Sequence, residues 1–355
     1  MRLHFRRLTC VLAVLLTIPM AMVKLAGQSG ADAAKAKPAA VAKTWTVSRT
    51  SDGQPDLQGV WANNNATPLE RPKALADRQF LTDEEVERLK AKAAELFNGD
   101  GDAAFGDEIF VAALSGRERY VSDSFDKGTG NYNSFWLAER DFDNRTALIV
   151  DPPDGRVPAL TSEAQQRNAA RAAARRGRGP ADSVEDRPLT ERCITFGMPD
   201  LLAGYNSYYQ IAQTRGYVAI ATERIHDVRI IPLDGRPHVP PGIRLWHGDS
   251  RGHWEGDTLV VDTTNFSEKT NFRGASENLH VIERFTRKGP NGLEYQITLS
   301  DPTTWTKPWT LMIPLRKSSD KIYEYACHEG NTGVVGVLAG ARAQEKKAAE
   351  ANQVK

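Results

Sequence analysis

Apolar and polar positions divide the chain into two regimes that meet near residue 200. Beyond Tyr217 they alternate in short runs, the period of a strand with one face buried. YVAIATE and HDVRIIPL lead to a turn at Leu233-Asp234-Gly235-Arg236. A short HW stretch, the turn Glu255-Gly256-Asp257 and TLVVDTTNF read as a hairpin with glycine in its turn. LHVIERFTR, the turn Gly289-Pro290-Asn291-Gly292, LEYQITLSD, WTLMIPLRK and KIYEYAC complete the series. Strands joined in sequence by short turns predict a mainly β fold, an antiparallel meander closing into a barrel or a calycin-like sandwich.

Before residue 200 the spacing is helical. Thr82-x-x-Glu85 forms a capping box, Leu89, Ala93 and Leu96 follow at helical spacing, and Gly99 reads as a stop. Ser162-x-x-Gln165 opens a second helix that runs in Ala and Arg to about Arg176, its arginines read as solvated surface. A third helix starts near Val334. Residues 44–200 are therefore expected to be a helix- and loop-rich extension with some strands, packed on a β core at 201–340 and followed by a tail at 341–355. Two echoes stand out: Tyr132-Asn133-Ser134-Phe135-Trp136 against Tyr205-Asn206-Ser207-Tyr208-Tyr209, and Asp154-Gly155-Arg156 against Asp234-Gly235-Arg236. A duplicated strand-turn unit accounts for both, and shared turn chemistry accounts for the second alone.

The N-terminus changes this picture by adding a compartment. Arginines at 2, 6 and 7 precede an almost wholly apolar run from Leu8 to Val23, the layout of a signal peptide over 1–30. Ala, Lys and Pro fill residues 31–43, a disordered spacer by composition. The expected location is periplasmic or secreted, with no integral membrane span apart from the signal segment. The 46 basic and 45 acidic residues leave a net charge of +1, which excludes a nucleic-acid partner as an expectation. The sequence sets no oligomeric state. Cys193 and Cys327 outlast export and are read either as a disulfide or as two buried thiols.

Chemistry concentrates between Ile225 and Glu283, where His226, His238, His247, His253 and His280 lie. Three readings compete. In the first, His226, Asp227, His280 and Glu283 are proton carriers, with Arg251 or Arg273 holding an anionic or carbonyl oxygen. Glu283 sits between Val281 and Phe285 on an apolar strand face, so it is either a pocket carboxylate or an ion pair with Arg229 or Arg273. In the second, His247, Asp249 and His253 hold a divalent metal, although no H-x-H or H-E-x-x-H spacing is present. Otherwise no cofactor is expected. In the third, Tyr132, Asn133, Trp136, Tyr205, Asn206 and Tyr208 bind a small-molecule or glycan-like ligand by stacking and amide hydrogen bonds; Arg229, Asp249, Arg251 and Arg273 complete that ligand set. No G-x-S-x-G elbow, P-loop or dinucleotide-binding glycine motif is present.

The blocks DGQPDLQGVW, NYNSFW, LIVDPPDGR, RCITFG, IHDVRIIPLDGRPH, GDSRGHWEGDTLVV, LHVIERF and YEYACHEGN resemble those of a widespread family of exported bacterial proteins. The resemblance spans about residues 46–340. It implies one coherent exported fold and assigns no catalytic role to any residue. Taken together, the sequence predicts an acid–base enzyme of lyase, isomerase or hydrolase type. A non-catalytic ligand-binding protein of the envelope and a metalloenzyme are the alternatives.

Overall fold

A computed structural model describes residues 45–98, 103–104, 107–121, 139–270 and 272–353. The expected signal peptide, the spacer, Gly99 and the block holding Tyr132, Asn133, Phe135 and Trp136 lie outside these residues.

The strands are β1 (Gly59–Ala62), β2 (Ile149–Asp151), β3 (Tyr208–Thr214), β4 (Tyr217–Thr222), β5 (Val228–Pro232), β6 (Asp249–Glu255), β7 (Thr258–Thr264), β8 (His280–Arg287), β9 (Gly292–Ser300) and β10 (Trp309–Ser318). They form one sheet in the order β5-β4-β3-β1-β10-β9-β8-β7-β6, with β2 also paired to β10. All the ladders are antiparallel. Two meanders are thus present, β3–β5 and β6–β10, and β1 joins them edge to edge. Val60 pairs with Gln210 on one side and Ser318 on the other. Trp61 is the side chain that seats this strand. It is fully buried, its indole N–H donates to the Leu57 carbonyl at 2.8 Å, and the Arg287 guanidinium covers its ring at 5.1 Å.

Alternation places the core. In β8 and β9 every second residue is buried: Val281, Glu283, Phe285 and Arg287, then Leu293, Tyr295, Ile297 and Leu299. Trp309, Leu311, Ile313 and Leu315 of β10 continue the same apolar layer. Arg229 of β5 forms a bidentate pair with Glu283 of β8 (2.6 and 2.8 Å), and the Tyr295 hydroxyl donates to the same carboxylate at 2.5 Å. Because β5 and β8 are not neighbours in the sheet, the sheet must curl for these groups to meet.

The curl stops short of closure. No ladder joins β5 to β6 among the described residues, so the expected closed barrel is corrected to an open, curled sheet. Side chains fill the seam instead. A methyl group on Gly252 of β6 would stand 2.9 Å from Ile231 and 2.7 Å from Leu233, so only glycine lets the two edges approach. The connection between them carries Pro237, Pro240 and Pro241, which bring no N–H donors to an edge. KIYEYAC is a second correction: residues 321–327 form no strand. Both edges of β10 are already taken, by β9 and by β1 with β2, and the segment is drawn instead to Glu223 and to the Cys193–Cys327 disulfide.

Helices pack outside this sheet. In α1 (Asp83–Leu96) the Thr82–Glu85 capping box forms, and Val86, Leu89, Ala93 and Leu96 are its buried stripe. With α2 (Glu108–Leu114) it makes a second apolar cluster around Phe110 and Phe142. The helix α3 (Ser162–Ala174) is capped by Thr161 rather than Ser162, and Ala164 is its one buried residue. Arg175, Arg176 and Arg178 are exposed as the spacing implied, but Arg167 is corrected: it is half-buried and donates to Thr304 Oγ1 at 2.7 Å and to the Gly274 carbonyl at 3.2 Å. The last helix is α4 (Thr332–Gln353). Among the described residues no helix is long and apolar enough to cross a membrane.

Removing one member of the buried pair should be costly, because the other is left charged and unpartnered. Glu283→Ala is expected to lose about 3–5 kcal/mol in urea unfolding, with Arg229→Met in the same chain recovering much of it. A loss below about 1 kcal/mol, or no recovery in the double variant, would show that the bridge does not hold the curl.

Candidate functional site

The link from β4 to β5 is where the backbone is least at ease. Glu223 and Arg224 are both buried, and the chain must reverse within Glu223–His226 so that Thr222 N–H can reach the Asp227 carbonyl at 2.9 Å. Arg224, 1% exposed, is fixed on every side. Its guanidinium pairs with Asp200, donates to the Tyr205 carbonyl at 2.9 Å and lies 4.9 Å over the Phe196 ring. With Arg224 immobile, Ile225 and His226 make the reversal in left-handed conformations (φ 57° and 56°). For a β-branched residue that region is strained, and such strain persists only where the surroundings enforce it.

Immediately after the corner, Asp227 meets His247 and Thr195. Thr195 Oγ lies 3.0 Å from Asp227 Oδ2 and 2.7 Å from His247 Nε2, and the Gly197 N–H donates to it at 2.9 Å. His247 Nε2 is itself 3.2 Å from Asp227 Oδ2. One proton arrangement satisfies all four contacts: Thr195 donates to Asp227, and His247 carries its proton on Nε2. In the neutral tautomer that carries this proton, Nδ1 bears the lone pair. Thr195 is buried and fully engaged, so it orients the pair and is no nucleophile. The Cys193–Cys327 disulfide (Cα–Cα 5.7 Å) stands two residues from Thr195 and ties its segment to the C-terminal part of the chain.

His247 and Asp227 border a cleft with Met198, Asp200, Tyr209, Arg229 and Tyr295. Its free space is about 20 Å³, the size of one water molecule. Burial raises both tyrosine hydroxyls well above their usual range, so they are neutral hydrogen-bond donors. On Arg229 burial works toward neutrality, but the Glu283 carboxylate outweighs it and holds the guanidinium charged. On the other side of the corner, burial raises the pKa of Glu223, one of whose oxygens accepts the Tyr323 N–H at 3.3 Å. Its Oε2 is buried without a partner among the described residues.

The structure separates the residues that sequence grouped together. Glu283 is sealed in its ion pair, with no exposed surface. His226 is exposed at the strained corner, and His280 lies on a different surface with Asp262 at 3.1 Å. The expected trio of His226, His280 and Glu283 is therefore corrected: these groups do not converge. The metal set is corrected too, since His247 faces Asp227, Asp249 faces His238 and Arg251, and His253 faces Glu255. Among the described residues no group of three such side chains could hold a metal ion. Arg273 is exposed, in a left-handed conformation (φ 48°). Tyr205 and Tyr208 are half-buried, and Asn206 occupies a left-handed turn beside Glu223. Sequence reasoning missed Thr195 and Glu223, and it took His247 only as a metal ligand.

A second polar chain crosses the outside of β6–β8. Arg251 donates to Asp249 (2.7 Å), Asp249 meets His238 Nδ1 (3.0 Å), His238 Nε2 meets Asp262 (3.1 Å), and Asp262 meets His280. Comparison with known proteins finds no family pattern, no characterised sequence and no solved structure that matches this chain.

The His280–Asp262 contact sets a pH dependence. Its hydrogen bond raises the His280 pKa and is the largest of the effects that lower that of Asp262. A raised histidine pKa gives stability that is complete below the unfolded value and lost as pH rises through the folded one. The lowered Asp262 pKa acts in the opposite sense, losing its contribution as pH falls through the acid range. The stability advantage of the native chain over His280→Gln should therefore be larger at pH 5.5 than at pH 8.5. With His280 side chain 42% exposed, it should stay under ~1 kcal/mol after solvent screening. Equal differences at both pH values, measured by chemical denaturation, would rule this coupling out.

Proposed function

We propose that this is an exported enzyme that transfers a proton on a small organic or carbohydrate-like molecule, with His247 as the base and Asp227 behind it. The observation that carries this reading is the His247–Asp227–Thr195 geometry. A carboxylate and a hydroxyl fix one imidazole nitrogen as N–H, which leaves the other as a lone pair, the arrangement a general base needs. The strained Ile225–His226 corner next to Asp227 adds support, because backbone strain collects where function enforces it. The reaction is of lyase, isomerase or hydrolase type. Export is supported by the N-terminal charge and apolar pattern and by the disulfide, a bond that persists in oxidising compartments.

A second reading is a non-catalytic ligand-binding protein of the envelope. It is favoured by the sealing of Glu283 and by a cleft that holds little more than a water until something moves.

The two are separated by incubating the protein in deuterated water with pooled organic acids, lactones and oligosaccharides, followed by mass spectrometry. Conversion or deuterium uptake is expected, falling about 10²-fold or more in His247→Ala and Asp227→Asn. Conversion that survives in His247→Ala sinks the assignment. Ligand retention with no conversion in any pool favours the binding protein.

A further inference from the structure

The block DGQPDLQ has no part in the proposed reaction, yet it lines a wide cleft of its own. This cleft, of about 880 Å³, lies between the 50–58 segment, the β3–β4 turn and the end of β6. It is remote from His247. Along β3 the dyad cleft takes Tyr209, whereas this one takes Gln213 and Thr214, at the opposite end of the strand. We propose that it binds a neutral oligosaccharide.

The chemistry of the walls selects that class. Gln54, Gln58 and Gln213 bring amides, Thr50, Ser51 and Thr214 bring hydroxyls, and Trp254 brings an indole. Amides both donate and accept, as the hydroxyls around a sugar ring require, and an aromatic ring covers the apolar C–H face of that sugar. One carboxylate, Asp52, is matched by one guanidinium, Arg215, so the lining carries no net charge to recruit an ion. Ser51, Gln54 and Arg215 make no side-chain hydrogen bonds to other described residues, which leaves them open to a ligand.

The walls are held in advance. Gln213 accepts the Leu57 N–H at 2.5 Å and donates to the Pro55 carbonyl at 3.0 Å. Arg49 joins the Gly53 carbonyl at 3.0 Å to Asp257 of the β6–β7 turn at 2.7 Å. A loop fastened to the sheet on both sides loses little freedom when a ligand arrives, which favours binding.

The test is isothermal titration of the whole protein with cellohexaose, maltohexaose and chitohexaose, with polygalacturonate as an acidic comparison. At least one neutral hexasaccharide is expected to bind, at least tenfold more weakly in Trp254→Ala and severalfold more weakly in Gln58→Ala. Gln58 is exposed, so its variant keeps the fold even if Trp254→Ala does not. His247→Ala is expected to bind as the native chain does, which keeps this site distinct from the reaction proposed above. No binding of any neutral hexasaccharide, binding of polygalacturonate alone, or full affinity in Gln58→Ala together with a folded Trp254→Ala would overturn it.

Discussion

The buried bridge between Arg229 and Glu283 is the constraint around which the rest of the molecule arranges itself. A carboxylate on the apolar face of β8 cannot stay ionised in the core without a partner of opposite charge. That partner comes from β5, at the far edge of the sheet, and only a curled sheet brings the two together. Tyr295 supplies a further hydrogen bond and stacks on Phe285 at 4.4 Å, so the polar group is enclosed by aromatic surface. Arg229 follows Asp227 by two residues on an extended strand. Pinning one on Glu283 therefore fixes where the other emerges, on the same side of the strand. The core ion pair and the surface dyad are one piece of geometry.

Three distant segments meet at that dyad, each held by a different force. The disulfide and the turn around Cys193 position Thr195; in the chain-entropy picture a loop of 134 residues closed by such a bond stabilises the fold by about 4–5 kcal/mol. The Arg224–Asp200 pair, stacked on Phe196, sets the corner that precedes Asp227. His247 arrives from the proline-bearing connection between the sheet edges, which Asn265 secures with hydrogen bonds to three backbone carbonyls. No single motif spans the site, and no stretch of sequence displays it.

Much of the sheet was nonetheless legible. Alternation in LHVIERFTR put Val281, Glu283 and Phe285 on the inward face of β8, LEYQITLSD read as the strand β9, and Glu283 among apolar neighbours pointed to Arg229 as one of two partners. The Thr82 capping box marked the start of α1, and Cys193 and Cys327 form the disulfide that was one of their two readings. Other features left no local trace. Four residues, Gly59–Ala62, are too short to announce a strand, and their place between β3 and β10 is a tertiary choice. KIYEYAC alternates like a strand but finds both edges of β10 occupied, so propensity yields to topology. His247 and Asp227 lie twenty residues apart, with β5 and a long loop between them, and proximity in sequence misdirected attention to His226 instead.

The place of β1 has a consequence for how the chain is made. The strand that leaves the ribosome first is flanked in the finished sheet by β3 and β10, which are made much later, and Val60 waits for Ser318. Neither meander can dock on the other until that early segment returns to lie between them. Such long-range pairing makes assembly slow and leaves it incomplete through most of synthesis. Until Ser318 is made, one edge of β1 therefore stays unpaired, an open edge on which another chain could add.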